Sequence, residues 1–182
     1  IQLLFSAPWE PGEKGSPAYQ TAIDDMRASG LDVNGTTQPR AAAFLSGLQS
    51  NVLFSFRSKG LAWRELRGKE FEERLAAIRN PEFRSSLIEE AKQMEPAESI
   101  GHSMASSRYF IPPKASFWMG AQDRPNYTGG AEVSLAKLAE DAGEHPAETW
   151  LRLMDETDGR SLFMLRFVNQ DLSVLPDFMR SD

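Results

Sequence analysis

The stretch IQLLFSAPWEPGEKGSPAYQTAIDDMRASGLDVNGTT, residues 1–37, decides the fold class. Its first six residues are mostly apolar, which is the pattern of a strand buried on both faces. Ser16 followed by Pro17 predicts the start of a helix, and Gly30 stands where a left-handed C-cap belongs. Residues 31–37 then read as a second strand. Because strand, helix and strand with short connections give parallel pairing, this stretch predicts a βαβ unit and an α/β fold.

The predicted secondary structure changes after residue 40. Residues 41–94 predict helices and no strand, with the clearest helix starting at Asn80 as N-cap and Pro81 in the first turn. Residues 93–107 are polar and irregular, which predicts an exposed loop. The remaining predicted elements, in chain order, are short strands at 108–111 and 116–119, helices at 132–141 and 146–156, a strand at 162–168 and a closing helix from about 172.

Composition excludes several classes of function. The chain has 182 residues, 41% of them hydrophobic and 25% charged, which is enough for one real core. A net charge of -6 argues against a nucleic-acid or anionic-membrane surface. No run approaches the roughly eighteen apolar residues of a membrane span, and the first residues do not have a signal-peptide pattern. The absence of cysteine excludes disulfides, thiolate metal sites and a cysteine nucleophile. A reducing cytoplasm is compatible with this composition, and we expect a cytoplasmic location.

The histidines and carboxylates of the chain do not have the spacing of a metal-binding motif. The only histidines are His102 and His145, and neither belongs to a His-x-His or His-Glu-x-x-His pattern. His145 precedes a proline and is expected to cap a helix, and His102 lies in the polar loop. Neighbouring carboxylates such as Glu89 and Glu90 point about 100° apart on a helix, so they do not converge. We therefore expect no metal ligand in this chain.

The charged helical region, residues 57–84, interleaves positive and negative side chains, which predicts i,i+4 pairs on exposed helices. Its aromatic residues favour packing of the helices against the sheet, and a groove for a partner protein is the alternative interpretation. The aromatic residues within the region and just before it are Phe54, Phe56, Trp63, Phe71 and Phe83.

Three positions are candidates for binding a substrate. Gln38 and Arg40 follow the second predicted strand, and ligand sites of α/β sheets lie at the carboxyl ends of strands. The guanidinium of Arg40 suits a carboxylate, although a buried structural arginine fits the pattern nearly as well. Asn126 and Tyr127 form either a turn with a packed tyrosine or a loop that covers substrate. Asn169 follows the last strand, where it either contacts substrate or caps the closing helix.

Six segments, in this order, resemble the N-acyl-D-amino-acid deacylases of the amidohydrolase superfamily, the D-aminoacylase-like branch. They are Gln-x-Arg at 38–40, WRELR at 63–67, RLAAIRNPEFRSSLIEEA at 74–91, RPNY at 124–127, HPAETWLRLMDETDG at 145–159 and LRFVNQDL at 165–172. The resemblance implies a (β/α)₈ barrel of the TIM type with metal at the carboxyl ends of its strands. An α-helical insertion covers the mouth of that barrel.

On this resemblance the chain is a partial TIM-type barrel with a helical insertion. Residues 1–40 are the barrel βαβ segment, 41–107 the insertion, and 108–182 further barrel strands and helices. The parent enzyme would hydrolyse a C–N amide bond other than a peptide bond, in a small molecule such as an N-acyl amino acid. Its substrate would contact the five candidate residues Gln38, Arg40, Asn126, Tyr127 and Asn169.

The resemblance also implies a divalent metal, with zinc as the expected ion. Histidine ligands should follow two strands near residues 3–6 and 33–38, yet no histidine stands there. The metal ligands and the general base are therefore expected outside this chain, which carries no catalytic residue and should be inactive alone. Because the chain opens at Ile1 inside an apolar strand, we expect a piece of a longer protein that self-associates. The alternative is a non-enzymatic α/β domain that binds a partner protein through residues 54–94.

Overall fold

The structure, a computed structural model, describes residues 2–6, 16–38, 40–50, 52, 61–96, 109–110, 112–168 and 176. The chain divides into two compact units. The first contains Ile1–Ala43 and Arg166–Asp182, and the second contains Phe44–Leu165. The described residues form a mixed α/β protein, as the sequence predicts.

The first unit contains the predicted βαβ arrangement. Strand β1 (Gln2–Ser6), helix α1 (Ser16–Ala28) and strand β2 (Asp32–Thr36) follow one another, and β1 pairs with β2 in parallel. Helix α1 packs against β2, where the side chains of Ile23 and Val33 are buried. This arrangement brings the carboxyl ends of β1 and β2 side by side.

The turn between α1 and β2 has the predicted glycine geometry. Gly30 has φ +88, and its N–H donates to the carbonyl of Arg27. The N–H of Leu31 reaches back to the carbonyl of Met26, which completes a Schellman motif. Arg27 also donates from Nε to the carbonyl of Val33 at 3.0 Å. The end of α1 is therefore fixed to β2.

The second unit contains five helices among its described residues. They are α2 (Leu61–Gly68), α3 (Phe71–Arg79), α4 (Pro81–Lys92), α5 (Leu135–Ala142) and α6 (Pro146–Glu156). Asn80 caps α4 by accepting from the N–H of Phe83, as predicted. Ser134 caps α5 through its Oγ, and Gly143 ends that helix with φ +65. The core includes fully buried Trp63, Leu66, Ile78, Leu87, Trp150, Met154 and Phe163.

Three small sheets contain the described strands. Strands β3 (Ala42–Gly47), β7 (Leu162–Val168) and β6 (Ser116–Trp118) form one sheet in that order, with β6 and β7 antiparallel. Strands β4 (Glu95–Pro96) and β5 (Tyr109–Phe110) form a two-residue parallel pair. Together with the β1–β2 pair, these described strands close no barrel. The partial TIM-type barrel stays a prediction.

Two predictions of secondary structure were wrong. Residues 41–94 are not free of strands, because Ala42–Gly47 gains a pairing partner in β7. The helix predicted at 132–141 begins at Leu135, because Ala131–Val133 forms a 3-10 turn and Ser134 then caps α5. The predicted helix 146–156 and strand 162–168 are confirmed. The polar loop lies mostly outside the described residues, as does the closing helix apart from Pro176.

Within the described part of the chain, no helix combines the length and the apolar character that a membrane span requires.

Candidate functional site

The carboxyl ends of β1 and β2 form the candidate site of the first unit. Ser6 pairs in register with Thr36, so the residues that follow each strand start from the same edge. Gln38 and Arg40 come directly after β2, and both are exposed. Exposure removes the alternative of a buried structural arginine at position 40. An exposed guanidinium at such an edge can form two parallel hydrogen bonds with a carboxylate.

The loop at 119–130 carries the candidates of the second unit. The N–H of Asn126 donates to the carbonyl of Met119 at 2.9 Å. The Oδ1 of Asn126 accepts from the backbone N–H and the hydroxyl of Thr128, at 2.9 and 2.7 Å. Asn126 is therefore a turn-forming residue. Tyr127 follows it with 59% of its surface exposed, so it is not the packed tyrosine of the alternative interpretation.

The described candidates are divided between the two units. Gln38 and Arg40 belong to the first unit, and Asn126 and Tyr127 belong to the second. Asn169 lies outside the described residues. Substrate binding by these residues stays a prediction.

Helices α2, α3 and α4 form a groove whose lining residues were not predicted from the sequence. It is an open groove of about 410 Å³ on α2, α3 and the start of α4. Inside it, Nζ of Lys69 binds a carboxylate oxygen of Glu65 at 2.9 Å, and Glu73 accepts from the N–H of Glu70. The spacing of Glu73, Ala76, Ala77 and Asn80, which is i, i+3, i+4 and i+7, was the available signal. Seven residues line the groove: Glu65, Lys69, Glu73, Ala76, Ala77, Asn80 and Phe83.

The three arginines on α3 and α4, which are Arg74, Arg79 and Arg84, do not form the predicted i,i+4 pairs. Arg74 donates to four backbone carbonyls, those of residues 48, 50, 67 and 69. Arg79 binds Asp155 at 2.8 Å and Asp158 at 2.6 Å, and these hydrogen bonds raise its pKa. The pair of Lys69 with Glu65 does follow the predicted spacing. These arginines therefore connect distant parts of the chain.

The described residues do not fit the metal that the resemblance implies. Among them, no three histidine, aspartate or glutamate side chains converge on one point. The Nδ1 of His145 accepts from the N–H of Ala147 at 3.2 Å, so this nitrogen is used as a helix cap. Burial, together with the positive charge of Lys92, lowers the pKa of His145. His102 lies outside the described residues.

Comparison with known proteins identifies no family for this chain. The chain matches no family model, no curated protein and no solved structure. The class that its fold defines is a mixed α/β protein with two compact units. The amidohydrolase resemblance therefore rests on the ordered sequence segments alone.

Proposed function

We propose that this chain is a substrate-binding segment of a metal-dependent amidohydrolase that cleaves a C–N amide bond, as in an N-acyl-D-amino acid. The observation that carries the proposal is the position of Gln38 and Arg40, exposed and directly after a parallel strand. Substrates of α/β enzymes bind at this end of the strands. The ordered sequence resemblance supports the same class of enzyme.

In this proposal the chain binds substrate and does not perform the bond cleavage. Arg40 would hold the carboxylate of the substrate through its guanidinium, and Gln38 can donate to or accept from the amide. Tyr127 would contribute an exposed aromatic ring, presented by the turn that Asn126 forms. Since the described residues do not fit a metal, we place its ligands outside them and expect the isolated chain to be inactive. We also propose a cytoplasmic location, with which the composition is compatible.

Arg40→Ala in the full-length enzyme tests the proposal. Loss of a charge-assisted hydrogen bond should lower kcat/KM for an N-acyl-D-amino acid. The ratio of the two kcat/KM values should correspond to a loss of about 1.5–3 kcal/mol in transition-state stabilisation, with little change in Tm. Arg64→Ala is the matched control, because Arg64 is an exposed arginine on α2 outside the candidate site. Equal kinetics for both variants, or a full-length protein that hydrolyses no such amide, would contradict the proposal.

A second candidate function is binding of a partner protein through residues 54–94. The helical groove favours it, because an open groove lined by Ala76, Ala77 and a half-buried Phe83 suits a side chain from a partner. Ala76→Arg would fill this groove, whereas Arg40→Ala would leave it unchanged. A partner that is lost only with Ala76→Arg supports this function. If the Ala76→Arg and Arg40→Ala variants bind the same partners, this function is contradicted.

A further inference from the structure

His145 caps helix α6 with its imidazole ring. Its Nδ1 accepts from the N–H of Ala147 at 3.2 Å, and its carbonyl accepts from the N–H groups of Glu148 and Thr149. Pro146, at the first helical position, has no N–H to satisfy. An imidazole nitrogen accepts a hydrogen bond only when it carries no proton. The cap therefore exists only in the neutral form of His145.

The helix that this cap begins contributes much of the core of the second unit. Trp150, Leu151 and Met154 of α6 are fully buried. The helix packs against α5, α3 and α4, and a tight turn at Gly143 joins it to α5. A change at its first turn therefore acts where α5 and α6 meet.

The charges around His145 favour its neutral form. Its ring is half-buried, and Lys92 at the end of α4 repels a positive charge there. Glu148 on α6 attracts such a charge, and its effect is smaller than those of burial and Lys92. The N-terminus of a helix also disfavours a cation. The other charged groups near this turn form pairs: Lys137 with Glu140 and Asp141, and Arg152 with Glu144 and Glu156. Arg84 of α4 also acts on the carboxylate of Glu144.

We propose that His145 is a pH-sensitive helix cap. A proton from solvent binds Nδ1, removes the only acceptor that the ring offers to Ala147, and places a positive charge at the start of α6. The turn at 143–146 and the first turn of α6 then loosen together. At neutral pH the neutral imidazole restores the cap.

The direction of the pH effect follows from the pKa. Burial and Lys92 hold the pKa of His145 in the folded chain below its ordinary value of about 6.5. A group whose pKa is lowered by folding contributes stability that is complete above the unfolded pKa. That stability is lost as the pH falls through the folded pKa. The cap should therefore be closed above about pH 6.5 and should open as the pH falls through the lowered pKa of His145.

Hydrogen exchange at the Ala147 amide, measured on the full chain above and below the midpoint of the His145 titration, tests this proposal. After correction for intrinsic exchange, protection in the wild type should fall roughly fivefold on acidification, the size of a lost helix cap. His145→Asn keeps a cap acceptor that does not titrate, so its protection should stay constant. His145→Ala should show low protection at both pH values.

The same pH dependence in His145→Asn and in the wild type would overturn the proposal. A second measurement needs no substitution at position 145. Proton NMR follows both imidazoles of the wild type, and His102→Asn identifies which signal belongs to His145. Titration of His145 below about pH 6.5 supports the proposal, and titration above that value overturns it.

Discussion

Trp63 on α2 and Trp150 on α6 meet edge to face, with ring centroids 6.0 Å apart and ring planes inclined by 62°. Both side chains are fully buried, and Nε1 of Trp63 donates to the carbonyl of Leu87 on α4 at 2.8 Å. Trp63 lies in the segment that the sequence predicts as an insertion, and Trp150 lies in the segment after it. These helices therefore share one core.

Trp63→Ala should destabilise the chain by about 3–5 kcal/mol, because it removes a large buried side chain and leaves a cavity against Trp150. The free energy of unfolding from urea titration, followed by circular dichroism, measures this loss. Tyr127→Ala removes an exposed aromatic ring and should change stability by no more than about 0.5 kcal/mol. Equal effects of the two substitutions would mean that α2 and α6 do not share a core.

The carboxylate of Glu144 should give the chain part of its acid sensitivity. Its Oε1 accepts from Nε of Arg152 at 2.9 Å, and its Oε2 accepts from the hydroxyl of Thr149 at 2.7 Å. The hydrogen bond with Arg152, and to a smaller extent the one with Thr149, lowers the pKa of Glu144. Stability from this group is therefore complete above about pH 4.5 and is lost as the pH falls through the lowered pKa.

Glu144→Gln should accordingly lower Tm at neutral pH and flatten the decline of Tm below about pH 4.5. Thermal unfolding from about pH 7 down to 3 measures both effects. Glu140→Gln is the control, because the carboxylate of Glu140 is 75% exposed and lies 3.7 Å from Lys137. An acid decline as steep in Glu144→Gln as in the wild type would contradict this role.

Local signals predicted the elements that begin or end at a clear cap. Helix α6 starts after His145 at Pro146, and α4 starts after Asn80, because each cap residue satisfies N–H groups in its own first turn. Strand β3 escaped prediction because its alanine-rich sequence is typical of a helix, and only pairing beside β7 makes it a strand. Partners of that kind are distant in sequence, so local patterns do not contain them.

The candidate site shows the same division between local and distant information. The edge after β2 could be predicted, since it needs only the order of β1, α1 and β2. The partners of Arg79 could not, because Asp155 and Asp158 lie 76 and 79 residues away along the chain. The turn that Asn126 forms with Thr128 is local, and the sequence left it as one of two alternatives.

Gly159 should tolerate no side chain. It has φ +73, and a Cβ there would lie 2.7 Å from Cε2 of Phe71. Gly159→Ala should therefore cost at least about 1–2 kcal/mol from the left-handed backbone alone, in addition to the displacement of Phe71. Gly68→Ala is the matched control, since only its chain neighbours and its own helix backbone approach within 4 Å of its Cβ position, and its φ is not in the positive range. Urea titration that finds the two substitutions equally costly would contradict this geometry.

The apolar strand β1 should make the chain self-associate. Leu3 and Leu4 are 46% and 64% exposed, although strands of parallel sheets are normally covered on both faces. An exposed apolar strand tends to pair with another chain. We therefore expect the mass measured by light scattering to fall on roughly tenfold dilution.

Leu4→Lys should shift this equilibrium towards the monomer, because a charge on an exposed strand opposes its pairing. Ser85→Lys adds the same charge at an exposed position of α4 and should leave the mass unchanged. A wild-type chain that is monomeric and cooperatively folded at every concentration would contradict the prediction. Exposed Leu3 and Leu4 would then need no second chain, and the expectation that β1 belongs to a larger barrel would lose its physical support.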